Sequence, residues 1–193
     1  VGNAIEVNEC INFLIKPENA NLRLLELTIE LAAHMLQLSG IESDLETARV
    51  KSQDALTSGK AAAIFEQMIS ALGGPSDLLE KSHKHLVPMP IIRPIAANSS
   101  GYVLEMDARA IGLSMIHLKA GRTKSSDPID HGVRLSDIVE IGQWIDKGEP
   151  LAIAHTRDKE QLKYLQEAIP GVISLGAKHI EPPTLIHEIL GSN

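Results

Sequence analysis

The stretch that decides the fold runs from residue 101 to 156 and reads GYVLEMDARAIGLSMIHLKAGRTKSSDPIDHGVRLSDIVEIGQWIDKGEPLAIAHT. Large apolar side chains fall on alternate positions of 102–106, which is the period of a half-buried strand. Asp107 then stands where a helix N-cap belongs, and apolar residues recur at helical spacing over 111–118. The sequence therefore predicts a strand followed directly by a helix.

A second pair of short strands is expected further along, at Val139–Gly142 and Gly148–Ile153. The segment between them contains the turn-forming residues Gly142, Asp146 and Gly148, together with Lys147. The full set of elements expected after residue 88 is strands near 91–97, 101–106, 133–141, 149–155 and 172–175, with helices at 108–119 and 158–169.

The residues before this region predict helices only. A helix opening at Asn3 is followed by helices over about 21–38, 43–59 and 60–72, and Gly73-Gly74-Pro75 ends the last of these. Residues 75–90 predict a short helix and then a linker with a boundary at 88. We therefore expect an α+β chain in which residues 1–88 form a helical segment. Residues 89–193 then form an α+β domain with a small antiparallel, barrel-sandwich-like sheet.

Local signals predict how these helices begin and pack. Asn3 with Glu6, and Ser43 with Glu46, have the spacing of capping boxes. The helix over 21–38 has two apolar stripes and a narrow polar edge, so we expect it to pack against more than one neighbour.

The composition excludes several classes of function. Of the 193 residues, 44 % are hydrophobic and 3 % aromatic, and the formal charge is −7. An acidic chain with few aromatic residues is a poor nucleic-acid binder, because phosphate contacts need clustered cations and bases need stacking partners. The single cysteine, Cys10, excludes an internal disulfide and a cysteine-based zinc cage, and fits a reducing cytoplasm.

Neither a membrane span nor a signal peptide is indicated. No apolar run reaches the roughly 18–20 residues that a spanning helix needs. The chain begins with Val1 instead of Met and enters its first helix almost at once. We therefore expect a fragment of a longer polypeptide, a processed N-terminus being the alternative.

The histidines do not form a recognisable metal motif. His83 and His85 are two positions apart, and they lack both the i, i+4 spacing of a helical zinc site and a nearby third ligand. We interpret them as part of a surface linker. His117 in a helix and His155 at a strand end have no partner identifiable in the sequence.

The run Ser58-Gly59-Lys60 resembles part of a phosphate-binding loop but does not meet its requirements. Asp54 occupies the position of the first glycine, and Ala61 replaces the Ser or Thr that follows the lysine. We interpret the run as the end of one helix and the start of the next.

The loop Gly121–Asp127 is polar and basic, and it could bind an anion through backbone N–H groups and the side chains of Arg122 and Lys124. Loops of this composition are also simply solvated, and the composition favours that interpretation.

Three aspartates in and after this loop admit two interpretations. Asp127, Asp130 and Asp137 could form a cation site or an acid–base pair. The nearby Pro128 and Gly132 favour roles in turns.

Residues 139–153 resemble half of a biotinyl- or lipoyl-carrier barrel, with Ile145 in place of the last valine of the pattern. The modified lysine of such carriers lies at an exposed hairpin tip. No such tip follows Ile153, so the modification site is absent.

With these residues described, the chain resembles the C-terminal portion of the thymidine phosphorylase family, which includes pyrimidine-nucleoside and AMP phosphorylases. The match covers nearly the whole chain, in order and at the right spacings. The matching segments are Val1-Gly2-Asn3-Ala4-Ile5-Glu6-Val7, Ser58-Gly59-Lys60-Ala61 with Phe65, Gly74-Pro75, Gly101-Tyr102-Val103, Glu105-Met106-Asp107, Ala110-Ile111-Gly112, Gly121-Arg122, Ser126-Asp127, Ile129-Asp130, Gly148-Glu149-Pro150-Leu151-Ala152 and Ile153-Ala154-His155.

The resemblance implies reversible phosphorolysis of thymidine to thymine and 2-deoxyribose 1-phosphate, a pentosyl transfer in pyrimidine nucleoside salvage. Phosphate is the co-substrate, and no organic cofactor is implied. In the family, the residues that hold phosphate and base precede the stretch matching Val1. No catalytic or substrate-binding residue is therefore assigned on this chain, and alone it is expected to be inactive. The resemblance further implies that residues 1–88 are the helical end of the phosphorylase α/β domain and that residues 89–193 are its C-terminal α+β domain. It also implies a cytoplasmic homodimer without a nucleic-acid or membrane partner.

One residue of the family's cation site has a counterpart here. The glutamate at the place of Glu9 helps to bind a structural potassium ion in pyrimidine-nucleoside phosphorylases, and carboxylate and carbonyl oxygens suit such a hard cation. A helical glutamate facing solvent is the alternative.

Two other functions stay open from the sequence. The first is a phosphorylase acting on a nucleoside 5′-monophosphate such as AMP, although the length of the loop Arg122–His131 favours thymidine phosphorylase. The second is a non-catalytic biotinyl- or lipoyl-like binding module.

Overall fold

The structure is a computed structural model that describes residues 1–86 and 88–191. These residues form two compact units. The β-rich unit contains Val1–Val7 and the described residues of Leu86–Pro183, and the helical unit contains Asn8–His85 and the described residues from Thr184 onward. The α+β class, with a helical segment before a domain of small antiparallel sheets, is confirmed. The division of the sequence into 1–88 and 89–193 stays a prediction.

Five helices come before the first strand. They are α1 Asn3–Ile15, α2 Leu22–Leu38, α3 Leu45–Thr57, α4 Lys60–Ala71 and α5 Leu78–His85. Asn21 caps α2 by accepting hydrogen bonds from the backbone N–H groups of Arg23 and Leu24. No helix in the described part of the chain is long and apolar enough to cross a bilayer.

Neither predicted capping box forms as expected. The residues of the first make other hydrogen bonds, and the cap of the second lies one residue later. The Asn3 side chain donates to the Ala120 carbonyl at 2.8 Å, and it is the Gly2 N–H that donates to the Glu6 carboxylate. Asp44, one residue after Ser43, accepts from the Thr47 N–H at 2.8 Å and caps α3. A carboxylate is at least as good a cap as a hydroxyl, and it is placed one residue closer to the helix.

Helix α2 packs against α3, but its outer stripe is uncovered. Leu31, Met35 and Leu38 are 56 %, 70 % and 88 % exposed, whereas Ala33 is fully buried. The expectation that α2 packs against more than one neighbour stays a prediction.

The β-rich unit consists of two three-stranded antiparallel sheets and two helices. The elements are β1 Ile91–Ala96, β2 Gly101–Met106, α6 Ala108–His117, β3 Arg134–Ser136, β4 Trp144–Ile145, β5 Pro150–Thr156, α7 Lys159–Ala168 and β6 Ile173–Gly176. One sheet has the order β1-β5-β3, with Ile95 opposite Ala152 and Leu135 opposite Ala154. The other has the order β4-β2-β6. Asp107 caps α6 as predicted, since it accepts from the Ala110 N–H at 2.8 Å.

The predicted strand pair of residues 139–142 and 148–153 is wrong. Residues 139–142 form no strand, because their backbone leaves one sheet for the other. The Val139 N–H donates to the Leu151 carbonyl of β5, while the Gly142 N–H donates to the Val103 carbonyl of β2. The strand of this region is the short β4, which pairs with β2, whereas β5 belongs to the first sheet.

The two sheets and both helices enclose one apolar core. Val103, Leu135, Ala154 and Leu165 are all completely buried in it. Strand β5 contributes most densely, because it is the central strand of its sheet and five of its seven residues are buried.

The first residues of the chain add a further segment to the β-rich unit. Val1 exchanges two backbone hydrogen bonds with Leu135, at 2.7 and 2.8 Å, and the Ala4 N–H donates to the His131 carbonyl. Gly2 lies between them with φ +134°, and a Cβ atom there would lie 2.6 Å from the Cβ of Arg134. Only glycine fits this close backbone approach.

Candidate functional site

The polar loop between α6 and β3 is closed by its own backbone. Lys119 takes a left-handed conformation with φ 66° after the end of α6. Its carbonyl then accepts from the Asp130 N–H at 2.7 Å, so the two ends of the loop are joined. Residues 120–129 are therefore held as a compact loop on the surface of the β-rich unit.

The proposed anion site in this loop is occupied by one of its own carboxylates. Asp127 accepts from the Thr123 hydroxyl at 2.6 Å and from the N–H groups of Thr123 and Lys124 at 3.2 and 2.9 Å. The Thr123 hydroxyl, followed by these backbone donors, holds the pKa of Asp127 below its usual value. An external phosphate would have to displace this carboxylate, so the solvated-loop interpretation is the better one.

Asp130 is part of an ion pair that the sequence did not indicate. Its carboxylate accepts from Nε and from a terminal nitrogen of Arg157, the latter at 2.8 Å, and from the Gly132 N–H at 3.0 Å. The Arg157 guanidinium is the main reason why the pKa of Asp130 is lowered. The pair joins the end of β5 to the loop before β3, because Arg157 directly follows Thr156.

The third aspartate belongs to a short chain of polar side chains at the end of β3. The Ser136 hydroxyl donates to Asp137 at 2.8 Å and lies 2.9 Å from Nε2 of His155. Strand pairing brings Ser136 and His155 together, since β3 lies beside β5. Burial, and next the positive charge of Arg134, lowers the pKa of His155, so the imidazole is neutral near pH 7.

The three aspartates thus have separate partners and do not converge. Among residues 1–86 and 88–191, no group of three or more histidine, cysteine or acidic side chains could hold a metal ion. Neither the cation site nor the acid–base pair considered for Asp127, Asp130 and Asp137 is formed. Their roles are in closing loops and joining strands.

Glu9 lies on α1, and its side chain is exposed. Within the described residues Glu9 belongs to no group of three or more histidine, cysteine or acidic side chains that could hold a metal ion. A potassium site at Glu9 stays a prediction.

The histidine pair is helical, not in a linker. His83 and His85 form the last turn of α5, and His85 Nε2 lies 2.7 Å from a carboxylate oxygen of Asp77. The linker interpretation was therefore wrong about the secondary structure. His117, in α6, stacks on Tyr164 of α7 with ring centroids 4.3 Å apart.

The Ser58-Gly59-Lys60 run is a helix boundary, as predicted. Ser58 is the C-cap of α3, Gly59 has φ +78°, and Lys60 begins α4. Left-handed glycine at this position is the usual end of a helix.

A surface pocket lies beside the segment that crosses between the two sheets. It is lined by Asp137, Ile138, Val139, Glu140, Gln143, Ile145, Glu149, Pro150 and Ile153. Three of these side chains are carboxylates, so the pocket disfavours a phosphate dianion. It is not a candidate for phosphate binding.

Comparison with known proteins gives the family. Residues 102–176 match the family model described as the pyrimidine nucleoside phosphorylase C-terminal domain. The chain is 42 % identical over 188 residues to a thymidine phosphorylase of Burkholderia orbicola (strain MC0-3), and equally to one of Burkholderia cenocepacia (strain HI2424). Each alignment covers 97 % of this chain and 43 % of the relative, so the chain spans less than half the length of these relatives.

The family match and the fold agree in position. The matched residues begin in β2 and end with β6, so they include the α6–β3 loop, the helix and the strand that flank it, and both helices of the core. The chain therefore belongs to the thymidine and pyrimidine nucleoside phosphorylase family, and it carries that family's C-terminal domain.

Proposed function

We propose that this chain is the C-terminal part of a thymidine phosphorylase. The observation that carries the proposal is 42 % identity to thymidine phosphorylases over 97 % of the chain. The chain matches only 43 % of the relative's own length. The activity belongs to the longer polypeptide.

The proposed reaction transfers the 2-deoxyribosyl group from thymine to phosphate. A phosphate oxygen forms the new bond to the anomeric carbon, the bond from that carbon to thymine N1 breaks, and thymine leaves with its bonding electrons and is protonated. Phosphate is itself the nucleophile, so the protein has to position it and stabilise the charge on the leaving base.

The described residues of this chain support a framing role. Two N–H groups of the loop Gly121–Asp127 are bonded to Asp127, and the pocket at residues 137–153 is acidic. We therefore assign the binding of phosphate and base to residues outside this chain. We assign to the β-rich unit the role of a rigid structural support.

The test is a direct assay of two preparations. The purified 193-residue chain should release no thymine from thymidine and phosphate, and the longer polypeptide that carries this sequence should release it in a phosphate-dependent way. Thymine release by the 193-residue chain would contradict the assignment of the catalytic residues. No phosphorolysis by the longer polypeptide would contradict the proposed function.

The same assay separates the alternative substrates. Thymidine, uridine and AMP should be compared as substrates of the longer polypeptide, and the length of the loop at 122–131 favours thymidine over AMP. An intact mass of the chain after expression in cells that supply biotin and lipoate tests the carrier alternative. An added acyl mass on a lysine would favour a carrier module.

We further propose a potassium ion held partly by Glu9 and a cytoplasmic homodimer. Both rest on the resemblance to the family. The replacement Glu9→Gln should weaken the dependence of thermal stability on potassium, with sodium or choline as the control cation. Sedimentation of the longer polypeptide should give the mass of a dimer.

A further inference from the structure

The acidic pocket of the β-rich unit has no role in the proposed phosphorolysis. It lies beside the segment that crosses between the two sheets, and its volume is about 590 Å³. Pockets of roughly 300–1,000 Å³ are the size that small-molecule ligands occupy. All of its lining residues come from 137–145 and 149–153, so the pocket is formed within one compact unit.

Aliphatic side chains form much of the lining of this pocket. Val139 and Ile145 are almost completely buried, whereas Ile138 and Ile153 are half-buried and Pro150 is exposed. The two buried residues belong to or adjoin the core of the unit, so this side of the pocket is firmly held. Apolar surface of this kind favours contact with the hydrocarbon part of a ligand, because both are removed from water.

Three carboxylates, those of Asp137, Glu140 and Glu149, lie beside this apolar surface, and none of the nine lining residues is a lysine, arginine or histidine. Two of the carboxylates are held in place by hydrogen bonds. Asp137 accepts from the Ser136 hydroxyl and Glu149 from the Asp146 N–H, both at 2.8 Å. Negative charge next to apolar surface selects for a ligand that is both cationic and aliphatic.

A single metal ion does not match this arrangement. Among residues 1–86 and 88–191, no three acidic side chains come close enough together to hold one. The three carboxylates of the pocket therefore act at separate points. A ligand that reaches all of them needs several positive charges, and methylene groups between those charges would lie against the aliphatic lining.

We propose that this pocket binds an aliphatic polyamine, a linear chain of methylene groups that carries two or more ammonium groups. The ammonium groups pair with the carboxylates of Asp137, Glu140 and Glu149, and the methylene groups pack against Ile138 and Ile153. Each exposed ion pair is weak by itself, so the affinity comes from several pairs made by one ligand. The inference goes beyond the proposed function, because phosphorolysis does not use this pocket.

Titration of the 193-residue chain with spermidine, followed by nuclear magnetic resonance of the backbone amides, tests the proposal. The amide shifts should saturate and be concentrated in residues 137–145 and 149–153. The titration is run in about 0.15 M sodium chloride, where charges are screened beyond about 8 Å, so that the general attraction of a chain with charge −7 is suppressed.

Two other cations serve as comparison ligands. n-Butylamine has a similar aliphatic chain but one ammonium group, and it should bind about tenfold more weakly than spermidine. Magnesium ion is a compact dication without a hydrocarbon part. At the same concentration it should leave the pocket amides unshifted, because the carboxylates do not converge on one point.

The test variant is Glu149→Gln and the matched control is Glu167→Gln. Both remove one negative charge by the same chemical change, but Glu167 lies on α7 outside the pocket, and its side chain is 68 % exposed. Glu149→Gln should weaken spermidine binding about threefold, as the loss of one exposed ion pair does, and Glu167→Gln by less than about 1.5-fold. Glu140→Gln is a second test variant that keeps the hydrogen bond between Glu149 and Asp146. Fluorescence of Trp144 checks that each variant is folded.

The outcomes are distinct. Saturable shifts in the pocket that Glu149→Gln or Glu140→Gln weakens, and that Glu167→Gln does not, would support the proposal. Shifts spread over acidic residues elsewhere in the chain, equal effects of the three variants, or the same response to magnesium would indicate general electrostatic attraction and would overturn it. Absence of any saturable shift would overturn it as well. None of these results depends on whether the longer polypeptide phosphorolyses thymidine.

Discussion

The two units differ in how they use their apolar residues. In the β-rich unit a single cluster of buried residues runs through both sheets and both helices, and Ile95, Val103, Leu135 and Leu165 in it have no exposed surface. Buried apolar residues of the helical unit are few among those described. They are Ile11, Ala33, Ala48, Leu56 and Leu78. Most of the chain's large exposed apolar side chains lie in the same unit.

This difference separates local from long-range stabilisation. The helices are specified by caps such as Asn21, Asp44 and Gly59, which act within one turn, and the Glu30–Arg49 ion pair joins α2 to the next helix, α3. Such interactions form helices but do not bury a core, and most helical stability in proteins comes from packing. The β-rich unit brings distant strands together around one core, whereas the helical unit leaves large apolar side chains of α2 and α4 exposed.

The largest expected effect comes from truncating a core side chain in the β-rich unit. Leu165→Ala removes a fully buried side chain of α7 and should cost about 3 kcal/mol of unfolding free energy. Leu38→Ala, at the 88 % exposed end of α2, should change it by less than about 0.5 kcal/mol. The measurement is urea unfolding, with fluorescence of the single tryptophan, Trp144, reporting on the β-rich unit and circular dichroism reporting mainly on the helices.

Equal losses of unfolding free energy in Leu165→Ala and Leu38→Ala would contradict this difference between the two units. They would mean that the helical unit has a core of its own in solution.

The second effect compares two glycines with positive φ, one in each unit. Gly2→Ala puts a Cβ 2.6 Å from the Cβ of Arg134 and 2.8 Å from the Val133 carbonyl, and it should cost about 2 kcal/mol. Gly59→Ala, at φ +78° with nothing within 4 Å of its Cβ, should cost only about 1 kcal/mol. Thermal unfolding of both variants gives the comparison. A smaller loss for Gly2→Ala would show that Val1–Val7 is not held against β3.

Local signals in the sequence were enough to locate most elements of the fold. Asp107 before α6 and Gly59 after α3 act within one turn, so their roles follow from neighbouring residues alone. The crossing of residues 137–143 from one sheet to the other could not be predicted from neighbouring residues. It depends on hydrogen bonds to Leu151 and Val103, and no pattern within the segment encodes those partners.

The polar contacts of the candidate site were less predictable than the fold. The Asp130–Arg157 pair joins residues 27 positions apart, and the contact of Ser136 with His155 depends on the pairing of β3 with β5. Asp127 was predictable in part, because an aspartate four residues after a threonine can close a loop. The composition of the loop could not show that the Asp127 carboxylate already accepts hydrogen bonds from the donors that would otherwise bind an anion.

A third, smaller effect concerns Asp130 and Glu30, the acidic partners of Arg157 and Arg49. Asp130→Asn in the β-rich unit should cost about 1 kcal/mol at pH 7, because Arg157 is half exposed and stays hydrated after losing its partner. The pKa of Asp130 is lowered in the folded chain, so its stabilisation is present above about pH 4, the ordinary range of an aspartate, and is lost as the pH falls through the folded pKa. Urea midpoints at pH 7, 5 and 3 should therefore converge for the two proteins at the acid end.

The matched variant for this measurement is Glu30→Gln in the helical unit. Arg49 also lowers the pKa of Glu30, so the pH dependence should have the same sign. Its effect should appear in the helical signal and not in Trp144 fluorescence. A change in the tryptophan transition of Glu30→Gln would contradict the independence of the two units.

The smallest expected effect is the pH dependence that His155 gives to the β-rich unit. Its pKa is lowered, mainly by burial and next by Arg134, with the α-amino group of Val1 acting in the same direction and Asp137 in the opposite one. The unfolded chain, with an ordinary histidine pKa of about 6.5, therefore binds the proton first, and stability is lost as the pH falls below that value towards the folded pKa. His155→Gln, whose side-chain amide can still donate to the Ser136 hydroxyl oxygen, should flatten the pH dependence of the Trp144 transition midpoint between pH 7 and 5. His83→Gln, on the exposed last turn of α5 in the other unit, should leave that midpoint unchanged. If His155→Gln and His83→Gln gave the same pH profile of the Trp144 midpoint, the loss of stability in acid would not come from the His155 imidazole. Burial of that imidazole in the core of the β-rich unit would then not be the cause.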